Sequence, residues 1–143
     1  MIRVELKGRD LIEYVCDEDT KRESLNVIGC AELMQLIQRY QENGQPVAQW
    51  ELPMGKSHSE VLVRELISKV RGVWNFPYPH DELCHCRAVQ TETVDQAIIA
   101  GAHTASAISR VTSASTACGN CRFDIEAILQ YRLQDGCQIH KTN

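Results

Sequence analysis

At 143 residues, with 43% hydrophobic and 24% charged side chains, the chain has room for one ordinary domain or two small ones and has the composition of a soluble globular protein. Its formal net charge of −4 divides evenly, with 10 basic and 12 acidic side chains in residues 1–80 and 5 and 7 in residues 81–143, so neither half has the basic footprint that a phosphate backbone requires. Nucleic acid is not the expected partner, and no apolar run has the length of a signal peptide or membrane span, so a cytoplasmic setting with no membrane partner is expected.

Ile2, Val4 and Leu6 alternate with charged residues, the period of a strand with one buried face. Lys7-Gly8-Arg9-Asp10 turns the chain into a second strand from Leu11 to Cys16. Between Cys30 and Glu42, the residues Leu33, Met34, Leu36, Ile37 and Tyr40 follow helical spacing, and Asn43-Gly44 supplies the stop. Val47 to Leu52 reads as a third strand closed by Pro53. Ser57-His58-Ser59-Glu60 has the form of a capping box, and Val61, Leu62, Leu66, Ile67 and Val70 continue that helix to Gly72. Residues 1–75 are therefore expected to form a small α+β unit in the order ββαβα.

Residues 76–83 read as a connector, because prolines and aromatics crowd the stretch VWNFPYPHDEL over residues 73–83. Trp74, Phe76 and Tyr78 are expected to pack between the two halves, with a plain surface loop as the alternative. Beyond the connector strand signals stop, and residues 84–143 read as all-helical with a polar C-terminal tail. Thr91 or Thr93 caps a helix carrying Val94, Ala97, Ile98 and Ile99 that ends at Gly101. Thr104 caps a second helix through Ile108 and Val111, and a third begins near Cys121 with Ile125, Ile128 and Leu129.

Seven cysteines in a reducing compartment point to metal or redox chemistry sooner than to disulfides. Four of them fall into two chelating pairs, Cys84-His85-Cys86 and Cys118-Gly119-Asn120-Cys121, separated by 31 residues, a gap that suits a helical hairpin bringing two end loops together. Four thiolates from two loops suit a tetrahedral-sulfur metal or an iron–sulfur cluster. Cys121 at a helix start has free amides and a helix dipole to favour the thiolate, and Gly119 lets the backbone approach inorganic sulfide. Spacing alone leaves zinc open beside iron–sulfur, although zinc more often pairs CxxC with CxxC.

The stretch from Cys84 to Leu129 resembles the bacterioferritin-associated-ferredoxin-like (BFD-like) [2Fe–2S] domain, a module also found inside nitrite reductases and the nitrogen-fixation cluster scaffold. The resemblance runs through Cys84-His85-Cys86, a helix cap at Thr91, the apolar helix Val94 to Ile99, the turn Gly101-Ala102-His103-Thr104, and Cys118-Gly119-Asn120-Cys121 opening a helix. It implies a helical fold and a [2Fe–2S] cluster with Cys84, Cys86, Cys118 and Cys121 as its ligands. It says nothing of residues 1–75.

The remaining candidates have plainer readings. His80, His85 and His103 are expected on loops and turns without a chemical role. Cys16 and Cys30 are expected to pack as small hydrophobes, and Cys137 to be an exposed thiol. Met54-Gly55-Lys56-Ser57 is not a phosphate loop, since Trp50 stands where that motif needs glycine. No nucleophile–base pair stands out. The expectation is a small iron–sulfur protein, not an enzyme, that exchanges single electrons with a redox partner protein. The α+β part would serve partner recognition or homodimerisation. Cluster assembly or iron and redox sensing is the second reading, and a zinc-stabilised interaction module the third.

Overall fold

The computed structural model describes residues 1–84, 87–114 and 121–133. The chain divides into two compact units, Met1–Trp74 and Asn75–Asn143. The fold class is α+β, with a three-stranded sheet and helices first and a mainly helical region after it.

The first unit opens with strands β1 (Ile2–Leu6), β2 (Asp10–Cys16) and β3 (Glu23–Ile28), paired antiparallel in the order β1-β2-β3. Gly8, at φ 79°, makes the tight turn between the first two. The register sets Val4 opposite Ile12 and Ile12 opposite Val27. Alternation then turns Val4, Leu6, Ile12 and Tyr14 to the buried face. Helices α1 (Ala31–Glu42) and α2 (His58–Arg71) follow. Helix α2 packs on β1 and on α1, and buries Val61, Leu62, Val63, Leu66 and Ile67. The Ser57 hydroxyl accepts from the Glu60 amide at 3.2 Å, the Ser half of the expected capping box, while the Glu60 carboxylate accepts from that hydroxyl at 2.9 Å instead of from a backbone amide. Gly72, at φ 76°, ends the helix in the left-handed region.

The element order of this unit differs from ββαβα in one respect. The third strand lies at residues 23–28, and residues 47–52 form none: Val47–Gln49 is a single 3₁₀ turn followed by extended chain. Side chains satisfy the backbone there. Arg71 donates to the carbonyls of Ala48 and Trp50, Arg64 to those of Pro53 and Gly55, and the Val47 amide donates to the Glu23 carboxylate at 2.8 Å. Trp50 stacks on Tyr40 with ring centroids 4.7 Å apart and donates to the Gln45 carbonyl at 3.0 Å. The same Glu23 accepts from the Tyr14 hydroxyl at 2.7 Å, and burial together with that carboxylate holds the Tyr14 phenol well above its ordinary range.

The second unit adds a short hairpin to the expected helices. Strands β4 (Glu82–Cys84) and β5 (Val89–Gln90) pair antiparallel, with Cys84 opposite Val89. Runs of three and two residues are too short to show a period in sequence. Helices α3 (Thr91–Ala100), α4 (Ala105–Thr112) and α5 (Arg122–Leu133) follow, and α3 packs against α4, α5 and both short strands. The core holds Leu83, Val89, Val94, Ile98, Ile99, Ile108, Ile125 and Ile128. Thr104 caps α4 as expected, accepting from the Ala107 amide at 3.0 Å. Thr91 does not cap α3. It is the first helical residue, and its hydroxyl donates instead to the His80 carbonyl at 2.6 Å.

Each connector aromatic has a partner within its own unit. Trp74 lies under the Lys69 ammonium, 5.6 Å from ring centroid to Nζ. Phe76 meets Tyr131 edge to face at 6.5 Å, and the Tyr131 hydroxyl accepts from the Asn75 amide. Among the described residues no helix is long and apolar enough to cross a membrane.

Candidate metal centre

Two of the four expected ligands lie among the described residues, and both are buried. Cys84 ends β4 with 2% of its surface exposed, and Cys121, 7% exposed, stands directly before α5. Leu83 and Val89 flank the first in the hairpin and shut water out. The first turn of α5 begins on the second, whose carbonyl accepts from the Ile125 amide at 3.0 Å. Cys86 and Cys118 fall outside the described residues, as do His85, Gly119 and Cys137.

The local chain explains where the two cysteines sit. The base of the hairpin is fixed by two bonds from Thr91: its amide donates to the Asp81 carbonyl at 2.7 Å, its hydroxyl to that of His80. Ala88 sits at φ 54°, so the return from the Cys-His-Cys segment into β5 uses a left-handed residue without glycine. On the other side, Ser113 at φ 70° reverses the chain after α4. The Ser109 hydroxyl then donates to the carbonyl of fully buried Ala114 at 2.7 Å, which fixes the chain just after α4.

Helix α5 is tied to α3 by a forked ion pair, with Arg132 Nε and Nη2 each 2.7 Å from a different oxygen of Asp95. Tyr78 belongs to the same neighbourhood. Its hydroxyl donates to the Glu82 carbonyl at 3.2 Å, and burial raises its pKa above the ordinary value, reinforced by the nearby Asp124, Cys121 and Glu82. A connector aromatic therefore reaches the surroundings of a candidate ligand. Two shielded thiols, one on a hairpin fixed at its base and one at a helix start, are donors of the chemistry that iron and zinc both take.

The other cysteines divide. Cys16 is exposed at the end of β2, not packed as a small hydrophobe. Cys30 is half-buried at the residue before α1, its Sγ 3.0 Å from His58 Nε2. His58 had drawn notice in sequence only as part of the capping box. It meets Cys30 through the fold, across 28 positions of sequence.

No curated protein and no solved structure matches the chain. Residues 83–131, about a third of the chain, match the family described as the BFD-like [2Fe-2S] binding domain, whereas the part before them is matched by no family. The matched stretch contains Cys84, Cys86, Cys118 and Cys121, and on it the molecule is an iron–sulfur protein whose cofactor is a [2Fe–2S] cluster.

Proposed function

We propose that Cys84, Cys86, Cys118 and Cys121 ligate the cluster and that the protein passes single electrons to or from a protein partner. The observation that carries this reading is that both cysteine pairs fall inside the matched stretch while Cys16, Cys30 and Cys137 fall outside it. When bound, the cluster supplies a one-electron redox couple. The chain's part is to hold the sulfurs, keep water from them through Leu83 and Val89, and present the site to a partner. Electron exchange across a small contact requires the cluster to lie close to the surface of this unit. In this reading the protein is not an enzyme.

With a chain charge of −4 and a cluster of net charge about −2, the complementary partner surface is basic. The test begins with anaerobic purification and analysis of iron, sulfide and zinc, followed by repeated one-electron reduction and reoxidation. Two irons and two sulfides per chain, retained through the cycles, support electron transfer. Rapid transfer of iron and sulfide to an apo-ferredoxin would favour the cluster-assembly reading, and a colourless protein with zinc on the four cysteines would overturn both.

A further inference from the structure

We infer that Asp10, Cys30 and His58 form a second metal site, of the zinc class, within the first unit and independent of the iron–sulfur cluster. One carboxylate oxygen, one thiol sulfur and one imidazole nitrogen from these residues lie within 4.8 Å of one another. His58 Nε2 is 3.0 Å from Cys30 Sγ and 3.0 Å from Asp10 Oδ2. A single ring nitrogen carries at most one hydrogen, so it cannot make a full hydrogen bond to each of two neighbours. Asp10, 3% exposed, accordingly keeps Oδ2 buried with no hydrogen bond.

The geometry separates this arrangement from a thiol–imidazole–carboxylate catalytic triad. In a triad the imidazole meets the nucleophile with one nitrogen and the carboxylate with the other. Here the same nitrogen faces both, as it does when three ligands turn toward a common ion. Tetrahedral zinc with sulfur, nitrogen and oxygen ligands sets the donor atoms about 3.3–3.6 Å apart, so seating the ion needs the pairs to open by a few tenths of an ångström. A carboxylate and a thiolate together balance a divalent charge, which removes the main cost of burying it. Binding releases the Cys30 thiol proton to solvent, and three protein ligands leave the fourth position to water or an outside ligand.

The scaffold holds each donor in place. Asp10 is the first residue of β2, and its Oδ1 accepts from the Cys30 amide at 2.8 Å, leaving Oδ2 for the site. Cys30 immediately precedes α1, and its side chain makes no cap bond that would turn Sγ away. His58 is the first residue of α2, held between the Ser57 cap and Glu60, which bond each other. Gly29 makes room: a Cβ there would lie 2.3 Å from Asp10 Oδ1.

The test uses the full-length, cluster-loaded protein and zinc itself. One zinc should bind beyond the cluster iron, and zinc-edge X-ray absorption should show one sulfur with three nitrogen or oxygen ligands. Cys30→Ser and His58→Gln should each weaken zinc by about a hundredfold or more while keeping the cluster's visible spectrum and the circular dichroism of the wild type. Gly29→Ala, which displaces Asp10 without removing a ligand, should weaken zinc in the same direction, and Cys16→Ser should leave it unchanged. Absence of zinc uptake by the cluster-loaded protein, a four-sulfur zinc environment, or undiminished binding in Cys30→Ser would each overturn the site.

Discussion

Arg132 grips Asp95 with two nitrogens of its guanidinium, both bonds 2.7 Å long and the arginine side chain only 4% exposed. The pair joins α5 to α3 within the second unit. Asp95→Ala removes two charge-assisted hydrogen bonds from a shielded guanidinium, so it should cost about 1.5–3 kcal/mol, seen as a lower urea midpoint for the second unit. Replacing both residues by apolar ones should cost much less, and a double-mutant cycle will separate the two effects.

The cysteine series tests the ligand assignment directly. Serine at any one of Cys84, Cys86, Cys118 or Cys121 should lose or greatly weaken the cluster, whereas serine at Cys16, Cys30 or Cys137 should retain iron and sulfide at wild-type stoichiometry. Normal iron content in Cys118→Ser would contradict the assignment.

Ala88 offers a finer probe, because its φ of 54° strains a residue that bears a Cβ. A β-branched residue is worse there, so Ala88→Val should cost about 1–2 kcal/mol and speed iron loss to a chelator. Ala88→Gly should release iron no faster than wild type. The order valine, alanine, glycine in release rate would show that this turn restrains the cysteine segment.

Loss of the cluster should loosen the two units unequally. Metal-binding free energy is folding free energy in small sites, so hydrogen exchange should quicken over residues 84–121 and change little over residues 1–70. No change would show that the helices of the second unit hold without the cluster, and equal quickening in both units would show that the stabilisation is not local.

Tyr40 gives the first unit a pH signature. Burial, followed by the nearby Glu51 and Glu60, raises its pKa above the ordinary 10.0, and its hydroxyl donates to the Glu51 carbonyl at 2.6 Å. A raised folded-state value means that the stabilisation is complete below about pH 10 and fades as pH climbs through the folded-state value. The melting-temperature advantage of wild type over Tyr40→Phe should therefore be constant near neutrality and shrink above that pH.

Much of this architecture was legible in the residues. Ser57 and Thr104 act as caps, and Gly72 stops its helix, because those roles depend on local geometry alone. The cysteine pairs were equally visible, since chelation by neighbours is written in their spacing. Three things were not. Strand β3 keeps Leu25 and Val27 only half-buried between exposed Ser24 and Asn26, so its alternation is faint. Residues 47–52 carry the apolar content of a strand, but Arg64 and Arg71, on a later helix, satisfy the backbone of this segment, and no local pattern announces that. Asp10, Cys30 and His58 stayed hidden for a related reason: they meet across 20 and 28 positions of sequence, through the fold and not through spacing.

The two arginines give the segment from Ala48 to Gly55 a freedom that the sheet lacks. A slip of one residue between β1 and β2 would turn the apolar set of one strand, Val4 and Leu6 or Ile12 and Tyr14, away from the core. The segment held by Arg64 and Arg71 has no ladder to keep in step, and a long guanidinium can reach a carbonyl that has moved. Its length is bounded mainly by loop closure, which rises slowly as residues are added. A small change in length there leaves the strand register untouched, whereas one added residue within a strand turns its apolar set away from the core.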